Sequence, residues 1–172
     1  DPDNLCPTLE EVTDVINSCA SKKSNSAPGR DKITWRQISD LFPLIQNEYM
    51  LFLSEIWDAE VIPSDGLLDK LIPLPKDPLG DLSDADNYRP IMLQSIPLIK
   101  VVDCVLDRRL RKRVVAKLEP EQGGFRAGRG TTEQSFVIKA IFGKFRGKKK
   151  LFCAFLDKTK AFDRTPRWGL WV

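Results

Sequence analysis

The chain contains no histidine, and its four cysteines, Cys6, Cys19, Cys104 and Cys153, show no CxxC spacing. That composition excludes Cys/His zinc sites and every histidine-based triad or acid–base pair. The residue with the clearest chemical potential is Asp157, which follows the apolar run Leu151-Phe152-Cys153-Ala154-Phe155-Leu156. A continuous apolar run bounded by charges fits a buried strand, and a carboxylate at its end would be held rigidly at a cleft. Magnesium takes oxygen ligands and keeps waters and phosphates in its shell; two-metal nucleotidyl transfer needs a carboxylate that clamps both ions. Position alone favours the plainer reading, an Asp that caps the turn after a strand.

A second feature is electrostatic. Residues 108–150 hold fourteen Lys/Arg against three Glu, a net of +11, while the rest of the chain holds 13 against 21, a net of −8. The overall +3 hides this asymmetry. A basic block attracts polyanions through counterion release with no base readout. A charge run by itself is more often a solvated helix face. Here it contains Gly124-Phe125-Arg126-Ala127-Gly128-Arg129-Gly130, where bare backbone amides sit beside two guanidinium groups. That combination suits a surface that touches phosphate.

These residues need a frame. Thr8-Leu9-Glu10-Glu11 is a capping box, followed by Val12, Val15, Ile16 and Cys19 at helical spacing, which predicts a helix to about Ala20. Ser24 to Gly29 breaks it. A short helix over Trp35–Asp40 and a longer one opening at Pro43 are expected next, the latter ending at Ile62-Pro63. Lys70 to Leu74 reads as a short strand closed by Pro75. An acidic loop over Asp77–Asp86 leads to Asn87-Tyr88-Arg89-Pro90-Ile91-Met92-Leu93, extended at its X-Pro bond. Helical spacing returns from Pro97 to Leu118, with Ile99, Val102, Val105, Leu106 and Leu110 inward and the Arg and Lys outward. Thr131 or Thr132 is positioned to cap a helix to about Phe145, and another helical start lies near Pro166. The class is α+β, rich in helix with few strands.

No apolar run approaches the roughly 20 residues of a membrane helix. Isolated cysteines inside apolar stretches behave as small buried hydrophobes and point to a reducing, intracellular compartment, the cytosol or nucleus. The start at Asp1-Pro2 without a Met and the stop at Trp171-Val172 read as cut from something longer.

The segment Phe155-Leu156-Asp157-Lys158-Thr159-Lys160-Ala161-Phe162-Asp163 resembles the first catalytic motif of reverse transcriptases, in the FLD-x-x-x-AFD form of non-LTR retrotransposon and group II intron enzymes. Four further blocks resemble the same family in the same order. Ser26-Ala27-Pro28-Gly29-Arg30-Asp31-Lys32-Ile33 is similar to its SAPGPDGI signature, with Arg30 and Lys32 in place of Pro and Gly. Ile62-Pro63 with Ile72-Pro73-Leu74-Pro75-Lys76 is similar to IP…VPIPK. Residues 87–93 with Lys100 are similar to NYRPISL…K, and Gln122 to Glu133 to QFGFRPGRSTTD, with Gly123 and Gly130 replacing a Phe and a Ser.

This resemblance implies a fingers/palm fragment: mostly helical fingers with a β-hairpin over residues 1–150, leading into the first strand of a ferredoxin-like palm over 151–172. Asp157 would be the catalytic carboxylate that binds both magnesium ions, assisted by the main-chain carbonyl of Lys158. Lys76 and Arg89 would grip the incoming triphosphate, and Phe162 would crowd the sugar 2′ position and so favour deoxynucleotides. Asp163 would cap a helix. Phe125, Arg126 and Arg129 would line the template path, with Arg30 and Lys32 adding positive charge for nucleic acid. The plainer roles remain open: a solvated turn Lys for Lys76, an Arg paired to a core carboxylate for Arg89, a core Phe for Phe162.

The implied function is RNA-directed DNA synthesis, with RNA template, DNA primer and dNTPs as partners and a nuclear location in a eukaryote. The family's second catalytic strand carries a paired Asp-Asp, and no such pair follows Asp157 here. The expectation is a chain that does not polymerise by itself. The alternatives are a group II intron-type enzyme, or a non-catalytic nucleic-acid-binding module, domesticated or remnant.

Overall fold

The computed structural model describes residues 5–147, 150–159, 161 and 164–170 of the 172. It is α+β, dominated by helix, with one two-stranded antiparallel sheet among the described residues. The chain falls into two compact units, Asp1–Leu118 and Glu119–Val172.

In the first unit, α1 (Leu9–Lys23) opens on the expected capping box: the Thr8 hydroxyl accepts the Glu11 N–H, and the Glu11 carboxylate accepts the Thr8 N–H at 2.9 Å. Val12, Val15 and Ile16 make its buried stripe. The helix runs past Ala20 to Lys22 and Lys23, cations placed favourably at its negative end.

The two helices expected around Pro43 are one, α2 (Trp35–Ala59), with Pro43 inside it. A second capping box, Thr34 with Gln37, starts it. An interior Pro costs about 3 kcal/mol because it cannot donate to the carbonyl one turn back. The apolar stripe runs straight through it, burying Trp35, Ile38, Phe42, Tyr49 and Leu53. At roughly 1.5–3 kcal/mol each, those burials outweigh the defect. Pro43 itself faces solvent. Phe42 and Tyr49 meet edge to face at 5.8 Å, and the Tyr49 hydroxyl donates to the Pro97 carbonyl.

Strands β1 (Lys70–Pro75) and β2 (Tyr88–Leu93), the two segments expected to be extended, pair antiparallel, with Pro73 opposite Pro90 and Pro75 opposite Tyr88. The Lys76 N–H reaches the Asn87 carbonyl at 2.6 Å. Hydrogen-bonded and open pairs alternate along such a ladder, so Pro73, Pro75 and Pro90 all occupy positions whose N–H would point outward. Three prolines therefore cost the ladder nothing and blunt both outer edges against further strands.

Ser95 caps a π-helical turn, Ile96–Lys100, which runs into α3 (Val101–Val114) and a closing 3-10 turn, Val115–Lys117. The inward face of α3 differs from expectation. Val101, Val105 and Arg109 are buried, while Leu106 and Leu110 are exposed. The row is turned because Arg109 points in: its Nε donates to Glu11 at 2.8 Å and its Nη1 to the Leu5 carbonyl at 2.6 Å. A core of α1, α2 and α3 side chains with Ile96 closes the unit.

In the second unit, α4 (Thr131–Phe145) begins at Gly130 as N-cap, without a capping side chain from Thr131 or Thr132. No described residue of this unit is buried. The buried strand expected over Leu151–Leu156 is not formed: residues 150–158 have no regular structure, and Phe155 and Leu156 are 77% and 96% exposed. A run apolar on both faces suits only a central strand, and no described strand of this unit pairs with it. A 3-10 turn, Arg167–Leu170, follows Pro166. Among the described residues no helix is long and apolar enough to cross a membrane.

Candidate functional site

The first unit packs two of the sequence blocks directly together. Gly29 lies so close to the end of β2 that an added Cβ would sit 2.6 Å from the Gln94 carbonyl oxygen and 2.8 Å from the Ser95 nitrogen. Only a residue without a side chain fits there. Next to it, the Asp31 carboxylate accepts from the Ser95 hydroxyl at 2.6 Å and from the Ile33 N–H at 3.0 Å. Lys32 takes a left-handed backbone (φ 61°) and donates its N–H to the Gly29 carbonyl at 3.2 Å. The turn holds Arg30 and Lys32 exposed on the strip of chain that abuts the exit of β2. Gly29, Asp31 and Ser95 are positioning residues that pattern reading missed. The signal for them was the Pro28-Gly29 turn followed by an Asp.

A third block joins through the hairpin. Directly opposed residues share a face, and neighbours along a strand alternate. The register sets Lys70 opposite Leu93 and Leu74 opposite Arg89, and Lys76 continues it opposite Asn87. Lys70, Lys76 and Arg89 therefore project from one face, with Arg89 diagonal to Lys76. The opposite face, Leu71, Pro73, Pro75, Tyr88, Pro90 and Met92, carries no charge.

Lys76 and Arg89 thus share one face of the ribbon. The Lys76 ammonium donates to the Asp86 carbonyl at 2.6 Å, which anchors it over the hairpin loop. That loop is built by aspartates that hold its own amides: Asp77 takes the Leu79 N–H, Asp81 the Ser83 N–H and Asp84 the Asp86 N–H. The Ser83 hydroxyl and N–H lower the pKa of Asp81. Asn87 closes the loop base onto the Asp77 and Asp81 carbonyls.

In the second unit, Phe125 has a left-handed backbone (φ 59°) and an 87% exposed residue. Arg126 donates to the Glu119 carbonyl at 3.1 Å, and Arg129 lies 3.8 Å from Glu133 across one turn. The three therefore sit on one turn ahead of α4, with an aromatic ring and two guanidinium groups in solvent reach. Asp157 and Lys158 are exposed and outside regular structure. Phe162 and Asp163 lie outside the described residues.

Two magnesium ions ask for several oxygen ligands held at fixed spacing. Among the described residues no group of three or more carboxylate, thiol or imidazole side chains is placed to hold a metal ion. Asp157 with the Lys158 carbonyl does not by itself meet that demand. No protein-family model matches the chain.

Proposed function

We propose that this chain supplies the fingers, and the segment bearing the first catalytic carboxylate, of an RNA-directed DNA polymerase of non-LTR retrotransposon type. The observation that carries the reading is the five-block colinear resemblance over residues 26 to 163, three of whose blocks pack into one structure in the first unit. A cationic strip of Arg30 and Lys32 on the turn, and Lys70, Lys76 and Arg89 on one ribbon face, supports a role in holding phosphates. Fixed cations of this kind stabilise negative charge on a transferring phosphoryl group. Phe125, Arg126 and Arg129 are suited to stacking on unpaired bases and meeting a template backbone.

On this reading the 172 residues, which carry one candidate carboxylate and no paired Asp-Asp, are expected to bind template and not to extend a primer. Primer extension on an RNA template with dNTPs and magnesium is expected to give no product; template-dependent incorporation would refute this division of labour. Anisotropy titrations with single-stranded RNA should show an affinity that falls with salt, with a slope of about −3 for four neutralised phosphates. Replacing both Lys76 and Arg89 with Ala should flatten that slope by about one to two. The polymerase reading itself is tested by joining a related palm and thumb after Val172, with Asp157→Ala as control. Activity lost in the control supports it.

The exposed, unpaired run 150–158 also favours a second reading, a non-catalytic nucleic-acid-binding module. It predicts the same salt-dependent binding and no activity from the fusion.

A further inference from the structure

Two thiols of the first unit play no part in holding phosphate. They lie where α1 and α3 pack directly against each other. The side chains of the two helices meet in antiparallel order. Near the start of α1, Glu11 holds Arg109 from the later part of α3. Further along α1, the Ser18 hydroxyl accepts from Arg108, which also donates to the Asp14 carbonyl at 3.3 Å. The next residue on α1 is Cys19, and one turn back on α3 is Cys104.

Both cysteines pack against the shared core. Cys19 continues the stripe of Val12, Val15 and Ile16, and Cys104 lies beside Val105 and one turn from Val101. The Cys104 thiol hydrogen-bonds to Cys19, and Lys23, one turn beyond Cys19, acts on the same thiol. Ser18-Cys19-Ala20-Ser21 carries small side chains throughout, which lets the two helices come close at this end. Both cysteines are free and half-buried, within reach of a small reagent.

We propose that Cys19 and Cys104 form an oxidative modification site, at which hydrogen peroxide converts the two thiols to a disulfide that fastens α1 to α3. Burial, and then the Cys19 sulfur itself, raises the Cys104 thiol above its ordinary value, against a smaller effect of Lys23. Cys104 is thus held as the neutral thiol, and the first attack falls to Cys19. The Cys19 thiolate takes one peroxide oxygen as a sulfenic acid; the O–O bond breaks, and the departing hydroxide leaves as water with the thiol proton. The Cys104 sulfur then attacks the Cys19 sulfur. The S–O bond breaks, and the second hydroxide leaves as water with the Cys104 proton. Two electrons pass from the sulfurs to the peroxide. In a reducing compartment both thiols stay free until such an oxidant arrives, and a thiol reductant restores them.

The test is exposure of the full 172-residue chain, carrying Cys153→Ser, to millimolar hydrogen peroxide. That substitution removes the exposed thiol, so that chains do not join to one another. After alkylation of the remaining thiols, peptide mapping is expected to find the Cys19 peptide joined to the Cys104 peptide, with Cys6 alkylated. The link closes a loop between positions 104 − 19 = 85 apart. It should raise the melting midpoint by on the order of 10 °C, and dithiothreitol should return it. Cys19→Ala and Cys104→Ala, each added to Cys153→Ser, should show no rise. The mapping needs neither variant, so a variant that fails to fold does not shield the proposal. Two unchanged thiols, sulfinic acid at Cys19 with Cys104 free, pairing of either with Cys6, or a cross-linked chain that melts no higher than the reduced one would overturn it.

Discussion

Glu11 is asked to do two things at once, and removing its charge separates them. It closes the capping box of α1 through the Thr8 N–H, and it receives Arg109 from α3 on both oxygens, Nε at 2.8 Å and Nη2 in a salt bridge. Glu11→Gln keeps the box, since Gln serves equally at that position, and deletes the charge. Hydrogen bonding from Arg109, against a smaller opposing effect of burial and with help from Thr8, brings the Glu11 carboxyl from 4.5 down to about 2. That difference corresponds to about 3 kcal/mol of preference for the ionised form. Glu11 is 32% exposed, so screening reduces the realised value to about 2 kcal/mol. The Arg109 side chain is only 9% exposed, and stranding it without a counter-charge adds to the loss.

The sign follows from the depressed carboxyl: the contribution is whole above pH ~4.5 and drains as pH falls toward 2. Urea unfolding of the chain at pH 7 should show the variant less stable by about 2 kcal/mol, a fall in Tm of about 4–8 °C. The gap between parent and variant should close as pH is lowered from 5 toward 2.5. A second variant, Glu11→Leu/Arg109→Met, replaces the pair with apolar groups and should recover most of the loss. A Glu11→Gln chain within about 0.5 kcal/mol of the parent at pH 7, or a gap independent of pH, would refute the reasoning.

Three further outcomes are expected. Gly29→Ala drives a methyl into the Gln94 main chain, which cannot swing aside, so thermal melting should show a loss of about 1–3 kcal/mol; an unchanged midpoint would mean the turn does not sit against β2. Pro43→Ala removes an interior proline from the solvent face of α2 and should raise the melting midpoint, the gain bounded by about 3 kcal/mol. With an aromatic disulfide reagent in the native state, Cys153 should react first. Cys6 and Cys104 should react last, because burial pushes both thiols above their ordinary value. Equal rates would contradict the packing of α1 on α3.

What the sequence disclosed and what it hid divide along a physical line. Local rules were legible wherever a short stretch carries its whole reason: the Thr8 and Glu11 box, the strand closed by Pro75, the end of α4 at Phe145. Pro43 misled because the rule that proline starts helices is local, while the burial that overrides it involves residues from Trp35 to Leu53. Arg109 misled for a related reason. On a helix whose neighbours are Arg108, Arg111, Lys112 and Arg113, nothing marks one guanidinium as inward except a carboxylate 98 positions earlier. Of the site, the sequence named Lys76 and Arg89; their shared face needed the register, and Gly29 with Asp31 needed the contact to Ser95.

The run before Asp157 shows the limit of a pattern most sharply. An apolar segment such as Leu151–Leu156 encodes a demand for cover on both faces and for ladder partners on both edges. The demand is written locally, but the supply is not, and here no described strand of the second unit meets it. The apolar residues of α4, Phe136 and Phe142 among them, stand in the same position: helical, and not buried. A carboxylate is aimed only as rigidly as the backbone beneath it. On the polymerase reading, whatever supplies strands beside 151–156 also supplies the rigidity that lets Asp157 act. The first unit needs no such help, because Val12, Phe42, Leu53, Val101 and Val105 already close a core among α1, α2 and α3. On the polymerase reading, phosphate binding through Lys76 and Arg89 is therefore separable from chemistry at Asp157, and loss of one should leave the other measurable.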